Sequence, residues 1–156
     1  MTHGVEFTHV VDRTLNALAD ALGADGAALM LIDDHDRPRA VGGSDADGRW
    51  LELAQEQAGA GPAFESLSRD TDIVIDDLRA ARPSGFPGVA EKATGVRAVL
   101  SVPLHADDRV IGSLDFYDRV SHEWQPAKVR AGRRLAELMV MVLEALAHKS
   151  TFSGQS

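Results

Sequence analysis

Apolar residues recur at helical spacing near the start of the chain. Val11, Leu15, Leu18 and Leu22 fall on one face, while Asp12, Arg13, Asn16 and Asp20 lie mostly on others. The pattern predicts a helix from about Val5 to Leu22, stopped by Gly23. The period then changes. Ala27–Ile32 is an uninterrupted apolar run bounded by Asp and Gly, as a buried strand requires. Asp33-Asp34-His35-Asp36 is turn chemistry leading to a shorter strand at Arg37–Val41. Arg49–Ala58 reads as a helix with Trp50, Leu53, Ala54 and Gln57 along one face, and Ala63–Arg69 as a second short helix after the Gly61-Pro62 turn. Ile73–Ile75 is a brief strand, and Gly88–Thr94 a helical turn or two.

Strict alternation marks the next stretch. Strands at Ala98–Leu104 and Val110–Tyr117 flank a hairpin turn at Asp107-Asp108. Ala98, Leu100, Val102, Leu104, Val110, Leu114 and Phe116 occupy even positions, with Gly112 among them. Ser101, Ser113, Asp115 and Tyr117 are odd, mixed with Val99, Pro103 and Ile111. Side chains alternate across a strand, so one face packs on helices and the other collects the polar groups.

The last helix is expected from Pro126 to His148, roughly 34 Å at 1.5 Å per residue. Leu135, Leu138, Val142 and Ala145 form one stripe, which Met139, Leu143 and Leu146 widen, and Leu138–Leu143 is apolar all round. A helix packed on one sheet keeps a polar outer face; this one has two surfaces to cover. Paired with the first helix, it predicts a homodimer through Leu135, Leu138, Met139, Val142 and Leu146 together with Val11, Leu15 and Leu18. Otherwise the first helix alone covers the second stripe.

The 156 residues suit one domain, expected at 1–149 with a frayed tail at 150–156. A formal charge of −8 argues against a nucleic-acid-binding surface. The longest apolar runs have six residues, Ala27–Ile32 and Leu138–Leu143, against the ~20 that span a bilayer, and MTHGVEF lacks a signal-peptide plan. A soluble, cytoplasmic protein is expected. There are no cysteines, which excludes disulfides, thiolate zinc sites, thiol catalysis and thioether attachment of a pigment or haem.

The order of elements and several local motifs resemble the GAF domain. The matching pieces are the Gly61-Pro62 turn, Ile73-Val74-Ile75-Asp76-Asp77-Leu78, the strand Gly95–Leu104 with its Ser-Val-Pro-Leu, and Val110-Ile111-Gly112-Ser113-Leu114. The resemblance covers roughly residues 5–148 and is nearest to GAF modules of actinobacterial regulators, which often precede an RNA-binding ANTAR domain. No such domain follows here, as in a stand-alone module or an excised fragment. The resemblance implies an α+β fold: a central antiparallel sheet of five or six strands, with terminal helices on one face and short helices and loops on the other. The second face of such domains often holds a small-molecule pocket, and the terminal helices commonly dimerise.

Several chemistries fall away. Free methionine sulfoxide reduction, an enzymatic branch of the family, uses cysteines, as do attached bilins. The Asn-Lys-x-Phe-Asp-Glu signature of cyclic-nucleotide GAF domains is not present. Nucleophile-elbow, phosphate-loop and His-Glu-x-x-His patterns are missing as well, so catalysis has no support in the sequence. His3, His9, His35, His105, His122 and His148 are the available haem ligands; four of them sit in the tail, turns or helix ends. No motif names a cofactor.

Asp115 stands out, a carboxylate inside an apolar strand on the face of Ser113, Tyr117 and Ser101. Burying it without partners costs several kcal/mol, so it needs donors. Either a polar ligand supplies them, or backbone amides, Arg97 or Arg119 do. Val99, Trp50, Phe64, Phe86 and Val89 are candidates for the apolar wall of a small-molecule site, or for plain packing. The Arg82–Gly88 stretch reads as a lid or as a surface loop. Two functions follow: a sensor that binds a small molecule and signals to a dimer mate or regulatory protein, or a dimerisation or protein-interaction module whose pocket its own side chains fill.

Overall fold

The computed structural model describes residues 2–155, with side chains from 5 to 149. Helix α1 (Thr2–Leu22) leads into strands β1 (Gly26–Ile32) and β2 (Pro38–Gly43), then helices α2 (Ala46–Ala58) and α3 (Pro62–Arg69). Strand β3 (Ile73–Ile75), a turn of helix α4 (Pro87–Ala90), strands β4 (Ala98–Ala106) and β5 (Arg109–Asp118) and helix α5 (Pro126–Gln155) follow. The expectation of a frayed tail from Ser150 falls on positions whose side chains lie outside the described residues.

The strands form one antiparallel sheet in the order β2-β1-β5-β4-β3. The two most alternating strands, β4 and β5, hold its centre with β1. Asp107 and Asp108 both have positive φ, 52° and 63°, as a two-residue type I′ hairpin turn requires. Gly23, at φ 79°, ends α1 in the left-handed region, with the Gly23 and Ala24 amides donating back to Asp20 and Ala19 carbonyls at 3.1 and 2.9 Å.

Each face of the sheet has its own core. On one, Leu29, Leu100, Leu114 and Phe116 pack against α1 and α5. On the other, Val99 and Tyr117 pack beneath Leu51, Ala54, Leu78, Phe86, Val89 and Val96, from α2, α4 and the loops around them. This is the α+β arrangement expected from the sequence.

Two expectations need correction. Val11, Leu15, Leu18 and Met139 cannot form a dimer interface, because all four are buried in the domain's own core, where α1 and α5 close over the sheet. Leu135, Val142 and Leu146 are half-buried against that core, which leaves Leu138 as the exposed residue of the proposed set, beside the exposed Met141. In α2, Trp50 is 53 % exposed and Leu53 and Gln57 also face outward. The buried face is Gly48, Leu51, Glu52, Ala54 and Gln55.

Candidate functional site

Pairing across the sheet assembles the polar face. Asp115 lies opposite Ser101 on β4 and Ala28 on β1, Ser113 opposite Pro103 and Met30, and Tyr117 opposite Val99 and Gly26. Residues directly opposite share a face, so Ser101, Ser113 and Asp115 converge at the centre of the sheet, and all three are fully buried.

The layer above them is polar as well. Glu52 and Gln55 of α2 and Ser66 of α3 are fully buried. Asp45 caps α2 by accepting from the Gly48 amide at 3.0 Å, and with the helix phased by that cap, Glu52 and Gln55 occupy its buried face. A hydrogen-bonded chain then runs from helix to helix. The Gln55 Oε1 accepts from the Ala63 amide at 2.8 Å, satisfying a free donor in the first turn of α3. Its Nε2 donates to Glu52 Oε1 at 2.8 Å. Gly61, at φ 145°, is needed here, since a Cβ would sit 2.4 Å from Gln55 Oε1.

On the strand side, the Ser113 hydroxyl donates to Asp115 Oδ1 at 2.7 Å. The remaining oxygens, Glu52 Oε2, Asp115 Oδ2, Ser66 Oγ and Ser101 Oγ, make no well-formed hydrogen bond, although Glu52, Ser101 and Gln55 lie near enough to Asp115 to favour its charged form. Neither arginine considered from the sequence reaches Asp115. Arg97 binds Asp77 through two contacts of 3.0 and 2.9 Å, and Arg119 binds Asp45 and Asp47 at 2.5 and 2.9 Å.

These surroundings raise both acids. Burial, then the adjacent Asp115 carboxylate, pushes Glu52 well above the usual carboxylate range. Burial also raises Asp115, partly offset by Glu52, Ser101 and Ser113. Glu52 therefore keeps a proton when an ordinary carboxyl has lost it. Placed between Glu52 Oε2 and Asp115 Oδ2, that one proton satisfies both oxygens.

The sequence-predicted residues divide around this cluster. Tyr117 is buried but turns its hydroxyl to Asp45, to which it donates. Burial would raise Asp45, yet the Tyr117 hydroxyl, the Gly48 amide and the Arg119 guanidinium together hold it below its ordinary value. Val99, Phe86 and Val89 belong to the apolar core beside the cluster, and Phe64 on α3 is half-buried. Trp50 faces solvent, outside the buried cores on either side of the sheet. The Arg82–Gly88 stretch is tied down: the Phe86 amide donates to the Leu78 carbonyl at 2.8 Å, and Arg82 binds Glu65 at 2.7 Å while stacking 3.9 Å over the Phe86 ring.

Glu52, Gln55 and Ser66 were not anticipated from the sequence. The available signal was the spacing of Gly48, Leu51 and Gln55, which places Glu52 beside a small and a large apolar residue on one stripe. The open cleft of about 390 Å³ between β4 and α5 is different in kind: four of its charged groups pair among themselves, Asp70 with His105 at 2.6 Å and Asp72 with Arg133, and Glu137 completes its lining. His122 pairs with Asp118 at 2.5 Å. Among the described residues no group of three or more His, Asp or Glu is arranged to hold a metal.

No curated protein matches the sequence. Solved structures do. A domain described as that of a two-component sensor histidine kinase from Sinorhizobium meliloti is 17 % identical, with 93 % of this chain and 95 % of that one covered and a TM-score of 0.70. Free methionine-R-sulfoxide reductase from Neisseria meningitidis, solved with its substrate, is 19 % identical over 89 % and 78 %, TM-score 0.66. The blue-light-absorbing form of the PixJ GAF domain from Thermosynechococcus elongatus is 20 % identical over 94 % and 92 %, TM-score 0.63. At these identities the likeness shows the fold. The family profile of the GAF domain matches residues 6–143, nearly the whole domain described above, and the chain belongs to that family.

Proposed function

We propose that this GAF domain is a non-enzymatic sensory or regulatory module that binds a small polar molecule between the sheet and the α2–α3 layer. The observation that carries the reading is the buried polar cluster, in which the Ser66 and Ser101 hydroxyls make no well-formed hydrogen bond and two carboxyls share one site. Buried polar groups are normally satisfied, and each unmet one costs about 1–3 kcal/mol, so a ligand with donors gains what the empty fold forgoes. Access requires α3 to move away from β4 and β5, against which it packs. The Gly59-Ala60-Gly61 connection, with both glycines at positive φ, is the natural hinge. Ligand contacts that differ between closed and open arrangements bias the equilibrium between them, and the helices on the opposite face carry the bias to a second copy or a regulatory protein.

Native mass spectrometry of freshly purified protein, with an absorbance scan, tests this. Retained mass or a chromophore that is lost in Asp115→Asn supports a ligand site; an adduct that survives this substitution places the ligand elsewhere and overturns it. The chain lacks the cysteines on which the reductase branch of the family depends, so no reductase activity is proposed. No described helix is long and apolar enough to cross a membrane, and a cytoplasmic setting is proposed on that basis and the acidic composition.

One observation favours a second reading: Glu52 and Gln55 already fill the space above Asp115, as they would in an interaction module with no ligand. Both readings use a homodimer, here through the exposed Leu138 and Met141 and the half-buried Leu135, Val142 and Leu146. Leu138→Glu is expected to convert dimer to monomer by light scattering, with the fold intact; an unchanged dimer refutes the interface. The proposed kinship with modules of actinobacterial regulators fits either reading.

A further inference from the structure

We infer that a second copy of this chain docks antiparallel on α1 and α5, with Met141 of each seated in the partner's alanine-floored groove and Arg130 of each against the partner's Glu144. The inference rests on the homodimer reading above and names its orientation and contacts.

The outer face of α5 carries the argument. Arg134, Leu138, Met141 and Ala145 are all exposed and follow at intervals of four, three and four residues, which makes them one stripe. Arg130, Glu137 and Glu144, seven residues apart, run along one shoulder of that stripe. Between α5 and the C-terminal end of α1 lies an open groove of about 340 Å³, lined by Ala21, Ala127, Arg130, Ala131, Arg134 and Leu135. Its alanine floor leaves room for a long side chain. Among the described residues Arg130, Arg134, Glu137 and Glu144 enter no hydrogen bond or ion pair. The two arginines, one turn apart on the helix, repel each other.

Symmetry then chooses between the two ways of pairing. In a parallel pair each residue of the stripe meets its own copy. Arg134 would face the partner's Arg134 and Met141 the partner's Met141, while both grooves stayed empty. Arg130 and Glu137 would lie against the partner's Leu135 and the partner's Val142. In an antiparallel pair about an axis level with Glu137, like shoulders adjoin. Arg130 then meets the partner's Glu144 at both ends, and Arg134 reaches the partner's Glu137 near the middle. Met141 comes level with the partner's Ala131, inside the groove. Opposite charges meet and the apolar knob finds its hole, neither of which the parallel pair offers. The α2 layer lies on the far side of the sheet and stays uncovered in both copies.

The test uses the full chain, whose lack of cysteine lets one introduced thiol report orientation. His148→Cys lies eleven residues beyond the axis, away from the proposed contacts. Carrying a spin label, it should give an intermolecular distance of about 33 Å, twice eleven residues at 1.5 Å, against about 10 Å in a parallel pair. Sedimentation supplies the second arm. Arg130→Glu and Glu144→Arg should each raise the dimer dissociation constant about tenfold, because each dimer holds the pair twice, and the double variant should return it to within about threefold of wild type. Met141→Ala should weaken the dimer without disturbing the protomer, in which this side chain is exposed. A short label distance in a stable dimer, or a double variant no tighter than the single ones, would overturn the antiparallel docking and leave the homodimer standing. A monomer at every concentration would overturn both.

Discussion

The two faces of one strand, β5, behave as different materials. Leu114 and Phe116 sit in a continuous apolar core under α1 and α5. Their neighbours Ser113 and Asp115, one residue away and pointing the other way, sit as deeply buried among carboxyls, an amide and hydroxyls. The first face is held by the removal of apolar surface from water, which is non-directional and tolerant of detail. The second depends on particular hydrogen bonds, and where these run out the fold bears an unmet demand. A domain can be stable because of one face and responsive because of the other.

That contrast can be tested by substitution. The largest effect belongs to the apolar face: Phe116→Ala should lower unfolding free energy by about 3–5 kcal/mol in denaturant titrations, through lost burial and the cavity left behind. A loss below 1 kcal/mol would mean that this face is not the stabilising one. On the polar face, Gln55→Ala should cost about 2 kcal/mol, because the Ala63 amide and Glu52 both lose a partner. Hydrogen exchange at Ala63 should rise with it, as the first turn of α3 is released.

The pH response comes next. Glu52 in the fold holds a proton that the unfolded chain releases near its ordinary value of 4.5. Folding therefore takes up a proton above that pH, and the contribution of Glu52 to stability declines as pH rises towards its raised folded value, by at most about 1.4 kcal/mol per pH unit. Subtracting the pH profile of Glu52→Gln from that of the wild type should isolate this decline; parallel profiles would show that Glu52 titrates normally. The smallest change is expected of Ser101→Ala. Its hydroxyl makes no well-formed hydrogen bond and only a weak approach to Asp115, so stability should hold within about 0.5 kcal/mol, in contrast to the loss at Phe116 on the neighbouring strand.

Much of the architecture was legible because burial writes a period into a sequence. The alternation of β4 and β5 placed Asp115, Ser113, Ser101 and Tyr117 on one face, and the pairing Ser101 with Asp115 follows from the two-residue turn at Asp107-Asp108. The helices were harder for the opposite reason. In α2 the apolar Trp50 and Leu53 suggested the inward face, whereas the Asp45 cap and the polar floor of the sheet turn Glu52 and Gln55 inward instead. In α5 an apolar circumference signalled two contacts. One of them is α1 within the same domain, which withdraws Met139, Val11, Leu15 and Leu18 from any partner.

What the sequence by itself determined is whatever depends on local order: strand and helix periods, the turns at glycine and aspartate, the absence of thiol chemistry, and the face on which each strand residue lies. The tertiary structure alone decided which distant residues meet. Glu52 and Asp115 are 63 positions apart in the chain, and each looks like an ordinary acid in its own neighbourhood. Only when α2 is laid over β5 do they lose water together, and a shared proton becomes the least costly way to bury two carboxyls.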